Sequence, residues 1–373
     1  MIVRKVSVTL ILIFLMVFPL LSSIADENAE ESLRILAFKM LDSTNGWAFM
    51  ENSGEPGIYR TTDGGKNWYY VSPIQKGSER YRTLSSRDYR TFFLDKSNAW
   101  VAIANYKGES EFPKGAPIVY HTTDGGSKWQ VSDALPQQDL ADYYFPIFLQ
   151  FVNERVGWLL VDTGAAAGHQ YVTLYRTLNG GATWKIMFPS GGSTAQMNVN
   201  GKSGMFFIDE ETGWVTIGVS PYDVPIVDVT ENGGVDWKGI VLSRSKVNCF
   251  AYSPFVFSHN RGFVLVECKE GEKNSLYWTS DGGRSWKHYN IPGSIVYFAD
   301  EDIGWSWNEY FYFTVNGGKS WRRLGKLDSV KSIQFSGKSE GWAVTGGRKR
   351  DSLFRTSNGG KSWIKVGINL REN

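Results

Sequence analysis

Thr279-Ser280-Asp281-Gly282-Gly283-Arg284-Ser285-Trp286 is the stretch on which the reading of the fold turns. Two adjacent glycines permit the positive-φ backbone of a tight hairpin turn. The Asp side chain can accept amide hydrogen bonds within that turn, and the Trp can cover it with a large apolar surface. The string is one of seven, the others being Thr61–Trp68, Thr122–Trp129, Thr177–Trp184, Thr230–Trp237, Thr314–Trp321 and Thr356–Trp363. The shared pattern, Thr-x-Asp/Asn-Gly-Gly-x-x-Trp, is called the box below. Internal repetition at this spacing decides fold before any other signal is weighed.

A second element precedes each box. It is a small residue followed by an aromatic: Gly46-Trp47, Ala99-Trp100, Gly157-Trp158, Gly213-Trp214, Gly262-Phe263, Gly304-Trp305 and Gly341-Trp342. Seven positions before these aromatics stand Met40, Phe93, Phe151, Phe207, Val256, Phe298 and Phe335. Five positions before stand the turn formers Asp42, Asp95, Asn153, Asp209, Ser258, Asp300 and Gly337. Each unit therefore reads as four strands. Strand A ends near the first aromatic, strand B starts at Gly-Trp, strand C ends at the box Thr, and strand D starts at the box Trp. About 340 residues divided among seven units gives about 48 per unit, the size of a four-stranded propeller blade. The expectation is an all-β, seven-bladed β-propeller with four antiparallel strands per blade, over residues 35–373, folding as one domain.

Residues 1–25 read as an export signal. Arg4 and Lys5 precede the uncharged run Val6–Leu21, and Ser23-Ile24-Ala25 offers a cleavage site. That run has 16 residues, against the roughly 20 of a membrane span; an uncleaved signal anchor is the alternative. Residues 26–34 read as a short linker. The chain has 40 Lys and Arg against 38 Asp and Glu, so removal of Arg4 and Lys5 leaves 38 against 38 and no net charge. Global attraction to nucleic acid or anionic lipid is therefore not expected. The location expected is outside the cytoplasm, as a monomer without membrane insertion once the signal is removed.

Catalytic and metal chemistry find little support. The box acid is Asp63, Asp124 or Asp281 in three copies but Asn179, Asn232, Asn316 or Asn358 in four. A general acid or metal ligand depends on the carboxylate, whereas a turn acceptor does not. His121, His169, His259 and His288 show no metal-ligand spacing. No cofactor and no metal are expected. Thirteen of the 15 Trp belong to the two repeat elements, leaving Trp278 and Trp307 in strands and little surplus for sugar stacking. Cys249 and Cys268 flank the A–B hairpin of unit five. Pairing Phe257 with Phe263 leaves Cys249 about three residues out of register, which a bulge at Pro254 could correct. A disulfide and two buried thiols both stay open.

The boxes resemble the Asp-box, or BNR, repeats of bacterial sialidases, sortilin-type receptors and xyloglucan-degrading endoglucanases. The combined aromatic-x-Asp, Gly-Trp and box pattern is most similar to the photosystem II stability/assembly factor family, over roughly residues 35–368. Such motifs are specific for fold and not for function. The Arg-Ile-Pro string that a sialidase would carry is absent; Asn290-Ile291-Pro292 is the nearest, in the wrong unit. The expected function is that of an exported, non-enzymatic interaction or assembly propeller binding a protein or cell-envelope component. A glycan-processing enzyme, hydrolase or lyase, is the alternative.

Loop lengths indicate where binding would occur. The A–B and C–D turns are near constant and should share one face. The B–C and D–A loops share the other and vary, from 9 residues between Trp305 and Thr314 to 22 between Trp100 and Thr122. Variable loops gathered on one face mark a binding face. Two basic clusters should meet there as the ring closes: Arg80, Arg82, Arg87 and Arg90 after unit one, and Arg348, Lys349 and Arg350 in unit seven. The resemblance adds interest to this cluster, because assembly-factor propellers are thought to hold partner protein through an arginine-rich surface. Tyr143, Tyr144 and Tyr222 are the loop aromatics expected to add contact area.

Overall fold

The computed structural model describes residues 32–78, 88–105, 115–137, 141, 143–166, 169–189, 201–218, 224–243, 249–268 and 273–372. Blade one consists of strands A (Leu33–Met40), B (Gly46–Asn52), C (Glu55–Thr61) and D (Asn67–Tyr70), paired in that order. The next six blades repeat the order over 89–131, 145–188, 202–241, 249–290, 295–326 and 330–366. The chain is an all-β propeller of seven four-stranded antiparallel blades. Strand A of blade one begins at Leu33, inside the stretch read as linker.

The boxes form the C–D turns. All fourteen box glycines have positive φ, between 66° and 98°, where a side chain would be strained. In blade one the Thr61 hydroxyl donates to Asp63 Oδ1 (3.0 Å) and accepts the Gly65 amide (3.0 Å). Asp63 Oδ1 also accepts the Lys66 and Asn67 amides. Asn316 accepts the equivalent Ser320 amide at 3.0 Å, so the amide oxygen serves as well as the carboxylate. In every blade the first box glycine donates its amide to a carbonyl of the A–B turn, as Gly64 does to Thr44 and Gly317 to Asp302. These bonds place A–B and C–D turns together on one face.

The Gly-Trp elements join each blade to the next. Trp158 is fully buried and lies 3.8 Å from the Phe207 ring of blade four, nearly parallel to it. Its indole N–H donates to the Gly233 carbonyl in the blade-four box at 3.0 Å. Trp100 makes the same bond to Gly180, Trp305 to Gly359 and Trp342 to Gly64. The glycine beside the Trp has its own reason. A Cβ on Gly213 would lie 2.5 Å from the Phe207 ring, so the missing side chain seats the aromatic that the preceding blade's Trp stacks on. Packing of this kind removes whole indoles from water and makes the blades interdependent.

Blade seven packs on blade one to close the ring, and the sheet of blade one takes strands from both ends of the chain. Gln334 of blade seven grips the backbone of Met40 in blade one, its amide oxygen accepting the Met40 N–H (2.8 Å) and its NH2 donating to the Met40 carbonyl (2.7 Å). Gln150 holds Phe207 in the same way between blades three and four. A final strand, Asn369–Arg371, runs parallel to strand D of blade one.

Blade five departs from the pattern. Its strand A is split into Cys249–Ala251 and Phe255–Ser258, and Phe255 faces Phe263, where Phe257 was expected. One extra residue around Pro254 brings Cys249 opposite Cys268, and the two form a disulfide with Cα atoms 4.1 Å apart.

Candidate functional site

Closure of the ring builds a basic patch on the variable-loop face. The blade-seven B–C loop runs between strands Glu340–Thr345 and Ser352–Thr356 and exposes Arg348, Lys349 and Arg350. Its backbone is tied to the first strand of the ring. The Leu33 amide donates to the Lys349 carbonyl (3.2 Å), and the Asp351 amide donates to the Leu33 carbonyl (2.8 Å). The Arg34 guanidinium donates to the carbonyls of Gly347 and Arg348, each at 2.9 Å. These bonds leave the side chains at 348–350 directed to a surface rather than used in holding the loop, apart from a long Arg350 contact to the Ile368 carbonyl.

Asp351 is the anchor beneath the patch. Its side chain is fully buried and accepts the Ile35 amide (3.0 Å), Arg34 Nη1 (3.3 Å) and Lys331 Nζ (2.8 Å). A buried carboxylate needs such partners, because its desolvation costs several kcal/mol otherwise. Arg34 and Lys331 contact this carboxylate directly, and the exposed Arg348, Lys349 and Arg350 precede it in the same loop.

Arg34 and Lys331 were not among the residues expected from sequence; one lay in the presumed linker and the other within a strand. Their common partner Asp351, itself flanked by Arg350, was the available signal. Arg80, Arg82, Arg87 and Tyr222 lie outside the described residues. Arg90 does not join the surface cluster. It is half-buried on strand A of blade two and donates to the Ile147 carbonyl of blade three and to its own neighbour Tyr89. Tyr144 is not an exposed loop aromatic either. It is buried between blades two and three with Trp100, Leu135 and Leu149, its ring set against Gly115, where a Cβ would lie 3.1 Å away. Tyr143, half-buried, packs on Phe145.

A different aromatic pair is exposed on the same face. Phe250 and Tyr252, at the start of blade five, are 38% and 37% exposed, with ring centroids 4.9 Å apart. Tyr252 donates its hydroxyl to Glu267. Burial and that carboxylate push the phenol up to about 12, so it stays a neutral donor. Nearby in blade four, burial lowers the Lys202 ammonium to about 8, with Asp228 and Asp162 opposing the shift. Asp162 accepts Gln170 Nε2 at 2.7 Å and the Gly164 amide at 3.1 Å. Among the described residues no three His, Cys, Asp or Glu side chains gather as metal ligands would.

No family model matches the chain, and no curated protein matches it. Solved structures do. YCF48 bound to D1 peptide is similar over 91% of this chain and 94% of that one, with 16% identity and a TM-score of 0.55. YCF48 from Cyanidioschyzon merolae is similar over 90% and 98%, with 14% identity and a TM-score of 0.51. The GH74 xyloglucanase from Xanthomonas campestris is similar over 90% of this chain but 56% of its own, with 16% identity and a TM-score of 0.53. At these identities the likeness establishes a common propeller fold, shared by binding proteins and glycan-processing enzymes alike.

Proposed function

We propose that this chain is an exported, monomeric, non-enzymatic propeller that holds a protein partner on its variable-loop face. The basic patch at the ring seam is its electrostatic centre. The observation that carries the reading is the run of exposed cations Arg348, Lys349 and Arg350 on a loop whose backbone is fixed by the chain's own closure. Such a patch is a preformed surface, and the cost of ordering it is met in folding rather than on binding. The binding of D1 peptide by a propeller of similar fold supports a protein as the partner class.

The test uses the chain lacking residues 1–25, captured on a sensor and exposed to native envelope extract, with the retained protein then purified and titrated. Arg348→Glu with Arg350→Glu should slow its association at least tenfold with a smaller effect on dissociation, and added salt should mimic the change. A partner that binds the double variant with unchanged rate and salt dependence removes the seam patch from the site. Turnover of a glycan by the purified chain would establish the enzyme reading instead.

A further inference from the structure

We infer that Cys249–Cys268 is a redox-operated clamp on the innermost strand of blade five, and that its reduction releases Phe250 and Tyr252 from the variable-loop face. Among the described strands, this strand A alone is broken in two. Between Ala251 and Phe255 the strand advances four residues while its partner advances three, from Val266 to Phe263. Pro254 sits in that bulge and has no N–H to give the ladder. The bulge is pressed into blade four at a place only glycine leaves open, since a Cβ on Gly204 would lie 2.1 Å from Ser253 Cα.

Beyond the break, the ladder spans just Cys249–Ala251, with the Tyr252 amide donating to the Leu265 carbonyl at 2.8 Å. So short an innermost strand opens easily unless something else holds it. The disulfide supplies that hold. It joins residues directly opposed across the ladder, at one end of the three-residue segment. Phe250 follows Cys249 immediately, and its ring reaches over Gly218 of blade four, where a Cβ would meet it at 2.4 Å. The aromatic pair therefore keeps its place for as long as the segment stays on its blade.

The exchange chemistry balances with a dithiol as co-reactant. One thiolate of the dithiol attacks a protein sulfur, the other protein sulfur leaves as a thiolate, and a mixed disulfide remains. The second thiol of the reductant then displaces the protein sulfur and closes its own disulfide. Two electrons pass to the protein, which ends with two thiols. Cys249 and Cys268 are only 6% and 8% exposed, so attack requires local opening of this strand. That the face binds a partner is taken from the function proposed above; the clamp itself does not depend on it.

Hydrogen exchange read by mass spectrometry on the chain, with and without dithiothreitol, tests the clamp. Thiol alkylation is used to count reduced cysteines. Reduction should accelerate exchange over residues 250–252 at least tenfold and leave the box amides of Gly65 and Gly181 unchanged. Cys249→Ser with Cys268→Ser should reproduce that pattern without reductant. Equal exchange at 250–252 in the two states overturns the clamp. So does acceleration across all seven blades, which would make the bond a staple of the whole ring, or a bond that stays closed under excess dithiothreitol in native buffer. Because no partner enters the measurement, its failure is separate from failure of the proposed function.

Discussion

The two faces of this ring treat charge differently. On the box face, four charged pairs among the described residues reach across blade boundaries. Lys96 pairs with Asp42 at 2.8 Å and Arg284 with Glu231 at 3.6 Å, and His259 pairs with Asp209 and Arg261 with Glu301. Exposed pairs of this kind add little to stability, but each reaches from one blade to its neighbour. At the seam on the variable-loop face, Arg34 and Lys331 share the buried Asp351 carboxylate, while Arg348, Lys349 and Arg350 in the same loop are exposed. The repeated motif therefore explains the face that carries the least information about function, and what is specific to this chain lies where the repeat stops constraining it.

The largest effect that could break this contrast belongs to the box face. Trp158→Ala removes a fully buried indole that stacks on Phe207 and bonds to the Gly233 carbonyl of the next blade's box. Its cost should be about 3–5 kcal/mol in chemical denaturation, the range for buried Trp truncations. Trp158→Phe keeps the stack and orphans one carbonyl, and should cost about 1–3 kcal/mol. A loss below about 1 kcal/mol for the alanine variant would mean that the boxes do not lock the blades together.

An intermediate effect is expected at the seam. Asp351→Asn keeps an oxygen for the Ile35 amide but removes the charge that Arg34 and Lys331 share. Breaking a buried pair in this way commonly costs 3–5 kcal/mol. Arg34 and Lys331 are 37% and 44% exposed and can turn to water, so about 1–3 kcal/mol is expected. Unfolding midpoints check the stability. Hydrogen exchange over residues 346–351 checks whether the loop loosens, and a loop unchanged in both respects would show that Asp351 does not position the patch.

What could be read in advance divides along the same line. The turns were legible because a box turn is local: Thr61, Asp63 and Gly65 satisfy one another within five residues. The blade boundaries followed from counting. The partners of the Gly-Trp indoles were not legible, because each lies in the next blade, 75 positions away for Trp158. The seam was still less so, since Arg34 and Asp351 are 317 positions apart and meet only when the ring closes. Phe250 and Tyr252 were missed for a third reason. The bulge at Pro254 moves the register, and pattern alone does not reveal which strand carries the extra residue.

The smallest effect should come from the same chemical change made on the box face. Asp281 Oδ1 accepts the Thr279 hydroxyl (2.8 Å) and the Ser285 amide (2.9 Å), while Oδ2 accepts the Ser285 hydroxyl (2.5 Å). Asn316 shows what replaces this in a sister blade: its Oδ1 keeps the first two roles, and its Nδ2 donates to the Ser320 hydroxyl at 2.8 Å. The serine rotates, and no partner is lost. Asp281→Asn should therefore stay within about 0.5 kcal/mol of the parent at neutral pH. The acid limb should still change. Hydrogen bonds from Ser285 and Thr279 lower the Asp281 carboxyl to about 2 from an ordinary 3.8. A depressed folded value means that the carboxylate's contribution is present above the unfolded value and lost as pH falls through the folded one. Between about pH 4 and 2 the parent should lose stability slightly faster than Asp281→Asn, by a small amount because the group is exposed to solvent. Urea midpoints across that window measure it. A large loss at pH 7 in Asp281→Asn, comparable to that of Asp351→Asn, would erase the distinction between the two faces, because it would show a box carboxylate valued for its charge rather than for the turn it completes.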